Sequence, residues 1–197
     1  MSDAVRTTFT VDYLGWSPWV TRSTDTDLSS DLAERAAEAV ASRSNSDYIA
    51  VLTNDFPSWQ ARDSVHHYTF AGDEDAQTGW RELGSVSASR INGCVFCAAV
   101  HARIYAQKSG NRDAAEAFLR DGLDADLPPT ERAIVDLGAK ITNDPEALTS
   151  ADLAPLRGLG FSDEEILDVA NYAAFFANAN RLMLTLGEPV YDRPYRG

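Results

Sequence analysis

The sequence predicts an all-α protein, and three observations carry that expectation. No segment shows the apolar–polar alternation of a half-buried strand, and apolar residues recur at helical spacing through most of the chain. Glycine, proline and Ser/Thr/Asp residues sit where such helices would start and stop. No short-period repeat or low-complexity tract interrupts the pattern. A chain of 197 residues can bury a substantial core, and a single domain over 1–197 is expected.

Residues 1–25 read as an aromatic arm, because Gly15 and Pro18 oppose a helix and Trp16 and Trp19 need cover. The Ala-, Glu- and Leu-rich stretch 29–43 is a helix with a polar start. The apolar run 47–56 is compatible with strand or helix, and a short helix is expected because no other segment offers it a strand partner. A helix follows from Pro57 to a stop at Gly72. The next, over 73–91, has an acidic start and a stripe of Trp80, Leu83, Val86 and Ile91. Asn92-Gly93 breaks it, and a new helix runs over 94–109 to Gly110.

Three further helices are expected: 111–121 closed by Gly122, 128–144 opened by two prolines, and a short one after Thr149 or Ser150 with Pro155 early in it. Ser162 and Glu165 form a capping box for a long last helix, apolar on most sides and so expected to be buried centrally. Residues 189–197, with Tyr191 and Tyr195, form a second arm. Arms that wrap a neighbouring protomer would explain their aromatic content. Trp80, Tyr105, Tyr172, Phe175 and Phe176 read as core, at helical spacing in apolar company.

Seventeen basic residues stand against 30 acidic ones, a net charge of −13 with no basic cluster, which argues against nucleic acid or an anionic membrane as partner. The start "MSDAVRTTFTVDY" does not read as a signal peptide, and no apolar run is long enough to span a bilayer. A cytoplasmic location is the expectation. Two cysteines in such a chain do not make a disulfide scaffold, and a close pair points to catalysis or metal.

Both cysteines lie in "SRINGCVFCAAVHARIY", residues 89–105. On a helix starting at or just after Gly93, Cys94, Cys97 and His101 share one face at i, i+3 and i+7. The i, i+3 spacing brings the Cα atoms to about 5 Å, within reach of a disulfide. Cys94 in the first turn lies where free N–H groups and the helix dipole favour a thiolate. His101, one turn beyond Cys97, can take its proton directly or through water. This is the pattern of a reversible dithiol. Two alternatives stay open: core cysteines acting as small apolar residues, and zinc, for which a second ligand cluster is missing. Haem attachment needs a histidine directly after the second cysteine, and a thioredoxin fold needs a βαβ context; neither is present.

Glu82 precedes Cys94 by twelve positions, giving Glu-x(11)-Cys-x-x-Cys-x-x-x-His. By itself Glu82 is a solvated helix residue; its spacing to the cysteines singles it out. The motif resembles that of the AhpD-like (alkylhydroperoxidase D, carboxymuconolactone decarboxylase) superfamily, within it the peroxidase-related proteins. The phrase "SRINGCVFCAAVHAR" and the later "TSADLAPLRGLGFSDEEILDVANYAAFFANANRLMLTLG" extend the likeness over about residues 45–188.

The resemblance implies an all-helical fold whose protomers form homo-oligomers, with the Glu82 helix beside the cysteine helix and the CxxC motif at the N-terminus of a central helix. It implies an alkylhydroperoxidase-like oxidoreductase in which Cys97 attacks a hydroperoxide, Cys94 resolves the sulfenic acid to a disulfide, His101 activates Cys97 and Glu82 orients His101 or relays through water. It implies a lipoyl-bearing or thioredoxin-like dithiol as reductant, and no organic cofactor or metal. Phe96 departs from the AhpD branch, where a histidine stands before the second cysteine, so the relay here is shorter or rerouted. His66 and His67 are candidates for the missing imidazole, with a surface or capping role the plainer expectation. The alternative functions are protein disulfide exchange, a redox-sensing or zinc-holding oligomeric module, and a decarboxylase-type lyase, whose chemistry needs no cysteine pair.

Overall fold

The computed structural model describes residues 8–70 and 76–191, with the backbone alone for 76–78. Gly72, the acidic start at 73–75 and Tyr195 lie outside the described residues. The fold is all-α apart from one short ribbon. In order, β1 (Gly15–Pro18), α1 (Ser30–Ser42), α2 (Asp47–Leu52), α3 (Phe56–Phe70), α4 (Ala76–Asn92), α5 (Val95–Ser109), α6 (Arg112–Asp121), α7 (Pro129–Asn143), α8 (Ala154–Gly158), α9 (Asp163–Leu186) and β2 (Gly187–Val190) follow one another. The chain divides into two compact units, 1–13 with 72–181 and 14–71 with 182–197.

In the first unit α4 packs most extensively against α5 and then α7, and α5 against α6. Small residues on α4 let the helices approach at backbone distance. A Cβ added at Gly84 would lie 2.9 Å from Val169 O on α9, and one at Gly138 of α7 would lie 2.9 Å from the Cβ and Oγ of Ser87. Ser87 Oγ donates to Val135 O at 2.9 Å, so this serine crosses the contact without an orphaned hydroxyl. Leu83, Val86, Tyr105, Phe118, Ile134, Val135 and Leu156 fill the core, each large side chain contributing about 1.5–3 kcal/mol by burial.

Helix ends follow the sequence signals. Gly110 closes α5 at φ +71° and Asn111 Oδ1 caps α6 through Ala114 N. Ser162 and Glu165 form the expected capping box, with Ser162 N donating to Glu165 Oε2 at 2.7 Å and Glu165 N donating to Ser162 Oγ at 3.2 Å. Thr149 and Asp152 make a second box on the 3₁₀ turn Ser150–Leu153, which precedes α8 where a single short helix was expected.

Three local expectations give way. The two arms meet: β1 and β2 pair antiparallel, Trp16 opposite Pro189. Four-residue strands containing glycine and proline carry no alternation, so their pairing is decided by geometry alone. Within this second unit Trp16 is buried, edge-on to Tyr48 at 5.7 Å, with Nε1 donating to Met183 O at 3.3 Å. It therefore finds its cover within its own chain. Secondly, α9 is not enclosed on all sides, since Leu167 is 58% and Leu184 40% exposed. Thirdly, Cys94 stands before α5 rather than in its first turn. No helix among the described residues is long and apolar enough to cross a membrane.

Candidate active site

A two-residue turn between α4 and α5 positions the cysteines. Gly93 adopts φ +80°, which a side chain would strain, and Cys94 N donates back to Ser89 O at 2.9 Å. That six-to-one bond, over the left-handed Gly93, closes α4. The same Cys94 opens α5, its carbonyl accepting from Ala98 N at 3.0 Å. One residue thus ends one helix and begins the next, and its side chain stays beside the first turn of α5.

Cys97 lies in that turn, and the two sulfurs stand 2.9 Å apart as free thiols, each 3% exposed. Cys94 is held below the ordinary thiol range. The largest cause is the hydrogen bond with the Cys97 thiol, which outweighs burial; the Cys97 N–H, the Asn180 amide and the Phe96 N–H add to it.

One turn beyond Cys97, His101 Nδ1 lies 2.5 Å from Glu82 Oε2. Both are nearly buried, Glu82 5% and His101 8% exposed. An ionised carboxylate accepts only, so opposite ionised Glu82 the Nδ1 nitrogen is the donor. Phe176 packs edge-on against the imidazole at 3.9 Å between ring centres. Lys108 Nζ lies 3.8 Å from the other Glu82 oxygen. Tyr172 is buried on α9, and that burial, with Glu82 adding to it, pushes its phenol far above the usual range.

The structure brings together what the spacing singled out: Glu82 with His101, and Cys94 with Cys97. Among the described residues no group of three or more His, Cys, Asp or Glu is placed to hold a metal ion. Phe96 is half-buried next to Cys97. His66 stacks on Phe70 at 4.7 Å and His67 is exposed beside Tyr68, both on α3.

Sequence reading missed Asn180. It is fully buried on α9, donates through Nδ2 to Ser89 Oγ at 3.0 Å, and accepts from Asn92 Nδ2 at 3.2 Å. Its only sequence signal was a polar residue within an apolar helix, which burial makes informative. Ser85, also fully buried on α4, has no hydrogen-bond partner for its Oγ among the described residues.

No protein-family model and no curated protein matches the sequence. Solved structures do. A peroxidase-related protein from Ralstonia eutropha JMP134, described as an alkylhydroperoxidase AhpD core, superposes with a TM-score of 0.68 at 27% identity, over 86% of this chain and 87% of that one. The fold is AhpD-like. A peroxidase-related protein from Silicibacter sp. TM1040 superposes with a TM-score of 0.69 at 24% identity, over 89% and 95% of the two chains. The likeness is to the peroxidase-related proteins of that superfamily.

Proposed function

We propose that the chain is a thiol-dependent oxidoreductase that reduces hydroperoxides through a Cys94–Cys97 dithiol/disulfide cycle. One observation carries the reading: a sulfur pair at 2.9 Å lies at the start of the helix that bears an imidazole 2.5 Å from Glu82. The likeness to peroxidase-related proteins supports it.

The hydrogen bond between the two thiols lowers the Cys94 thiol from its ordinary value. In the division of roles that the resemblance implies, the Cys97 proton passes to His101 Nε2 or to Cys94, and the Cys97 thiolate attacks the distal peroxide oxygen. The O–O bond breaks, the departing alkoxide takes a proton and leaves as the alcohol, and Cys97 becomes a sulfenic acid. The Cys94 sulfur then attacks Cys97, expelling hydroxide that leaves as water, and the disulfide forms. A dithiol donor returns the two electrons by thiol–disulfide exchange. Sulfurs this enclosed favour a small peroxide over a folded protein disulfide as oxidant, and a slender lipoyl-type arm as reductant.

Anaerobic titration of the reduced protein with t-butyl hydroperoxide tests the reading. Loss of both thiols with a mass decrease of two hydrogens is expected at neutral pH, and thiols that persist at millimolar peroxide would overturn it. A homo-oligomer is part of the proposal; light scattering should give a multiple of 21.5 kDa.

A further inference from the structure

Three serines on α4 are fully buried, and two of them have an evident use. Ser87 Oγ donates to Val135 O at 2.9 Å, and Ser89 Oγ accepts from Asn180 Nδ2 at 3.0 Å. Ser85 Oγ has no hydrogen-bond partner among the described residues. A buried hydroxyl left unpaired costs stability that an alanine would not, so it calls for a reason. Its place in the fold supplies one. Glu82, Ser85 and Ser89 lie at i, i+3 and i+7, on one strip of α4. At one end of the strip Glu82 meets His101, and at the other the Ser89 carbonyl accepts from Cys94 N. With α4 and α5 antiparallel in this register, Ser85 falls level with Cys97 and Ala98, between the imidazole and the cysteine pair. Helix α9 closes the same seam. A Cβ at Gly84 would meet Val169 O and Tyr172 Cβ, and Phe176 packs on the His101 ring.

We propose that Ser85 is a catalytic hydrogen-bond donor for a hydroperoxide at Cys97: its hydroxyl donates to the departing oxygen as the O–O bond breaks. This rests on the dithiol reading above and deepens it, because it names the group that serves the leaving atom. A hydroxyl suits the task, since it accepts one proton while giving another. The Cys97 thiol yields its proton to His101 Nε2, and the thiolate attacks the distal oxygen. An S–O bond forms as the O–O bond breaks, and the electron pair goes to the departing alkoxide oxygen. That oxygen takes the Ser85 proton and leaves as the alcohol, while Ser85 recovers a proton from His101. Sulfur is oxidised to the sulfenic acid and the hydroperoxide is reduced, with no proton left over. The other polar side chains of the strip are occupied: Glu82 by His101 and Lys108, Ser89 by Asn180.

The test compares the wild type with Ser85→Ala and Ser87→Ala, each reduced and anaerobic. Second-order rate constants are measured with t-butyl hydroperoxide and peracetic acid, and for alkylation of Cys97 by iodoacetamide mapped by fragment mass. Melting temperatures are taken alongside. Ser85→Ala should react with t-butyl hydroperoxide about a hundredfold more slowly, the loss expected for one donor aimed at developing negative charge. Peracetic acid leaves as acetate, which needs no proton, so its deficit should stay below about threefold. Alkylation expels iodide and should be unchanged. Removing an unpaired hydroxyl should leave the melting temperature equal or higher. Ser87→Ala, which breaks the bond to Val135 O, should do the reverse, lowering the melting temperature and leaving the peroxide rate alone.

Equal t-butyl hydroperoxide rates in the wild type and Ser85→Ala would overturn the inference and leave the dithiol reading intact. A parallel loss with all three reagents would overturn it too, because the hydroxyl would then act on packing or thiolate formation and not on the departing oxygen. A wild type whose thiols persist in millimolar t-butyl hydroperoxide would overturn the dithiol reading, and this inference with it.

Discussion

The two ends of the reactive stretch of α5 differ in how they handle charge. Around Cys94 the helpers are neutral dipoles: the Cys97 thiol, the Phe96 and Cys97 N–H groups and the Asn180 amide. Around His101, two turns on, they are ions, with Glu82 at 2.5 Å and Lys108 reaching Glu82 at 3.8 Å from a half-exposed position. Dipoles fixed in a buried turn hold a charge in place without competing for its proton. A carboxylate behind an imidazole fixes its orientation and tautomer, which suits proton transfer. In the proposed cycle, one end would hold the thiolate and the other would move the proton.

Removing either sulfur should have the largest effect. Cys94→Ser and Cys97→Ser should each reduce peroxide turnover to background, about a thousandfold or more, because neither single thiol can close the cycle. A sulfenic-acid trap sharpens the comparison. Sulfenic acid on Cys97 in Cys94→Ser assigns attack to the proton-moving end; accumulation on Cys94 in Cys97→Ser assigns it to the charge-storing end.

Glu82→Gln comes next. The isosteric amide keeps the shape but cannot hold His101 as the carboxylate does, so turnover should fall about a hundredfold, with a changed pH–rate profile. An unchanged profile would break the contrast between the two ends.

Gly138→Ala tests the support shared by both. The added methyl would meet Ser87 at 2.9 Å and push α7 from α4, costing about 1–3 kcal/mol in denaturant unfolding.

The pH dependence of stability reads the Cys94 end alone. Its folded pKa is depressed, so the thiolate contributes stability that is fully present above the unfolded thiol value and is lost as pH falls through the folded value. The melting temperature of the reduced wild type should therefore rise relative to Cys94→Ser as pH approaches 9, and a flat difference would contradict the lowered pKa. Smallest of all, Lys108→Met removes a long, partly exposed ion pair and should change turnover less than about threefold.

Much of this site was legible beforehand because helices convert spacing into faces. Cys97 and His101 needed only a helix over 94–109, and Gly93 and Gly110 announced its ends. The short helix at 47–52 could be argued because no strand partner was in view. The β1–β2 ribbon could not, because its two strands are far apart in sequence and pair through backbone groups that sequence does not distinguish. Nor could the 3₁₀ start at Ser150, which differs from an α-turn by one hydrogen-bond step.

The sequence by itself determined which residues can form a dithiol and a base, since periodicity and capping are local and act within a turn or two of chain. Only the tertiary structure decided what surrounds the two sulfurs. Asn180 lies 86 positions beyond Cys94 in the numbering, yet it binds Ser89 and Asn92 at the end of α4, the turn from which Cys94 projects. A hydrogen bond to a charge depends on ångströms between helices, and no residue pattern along one helix encodes that distance.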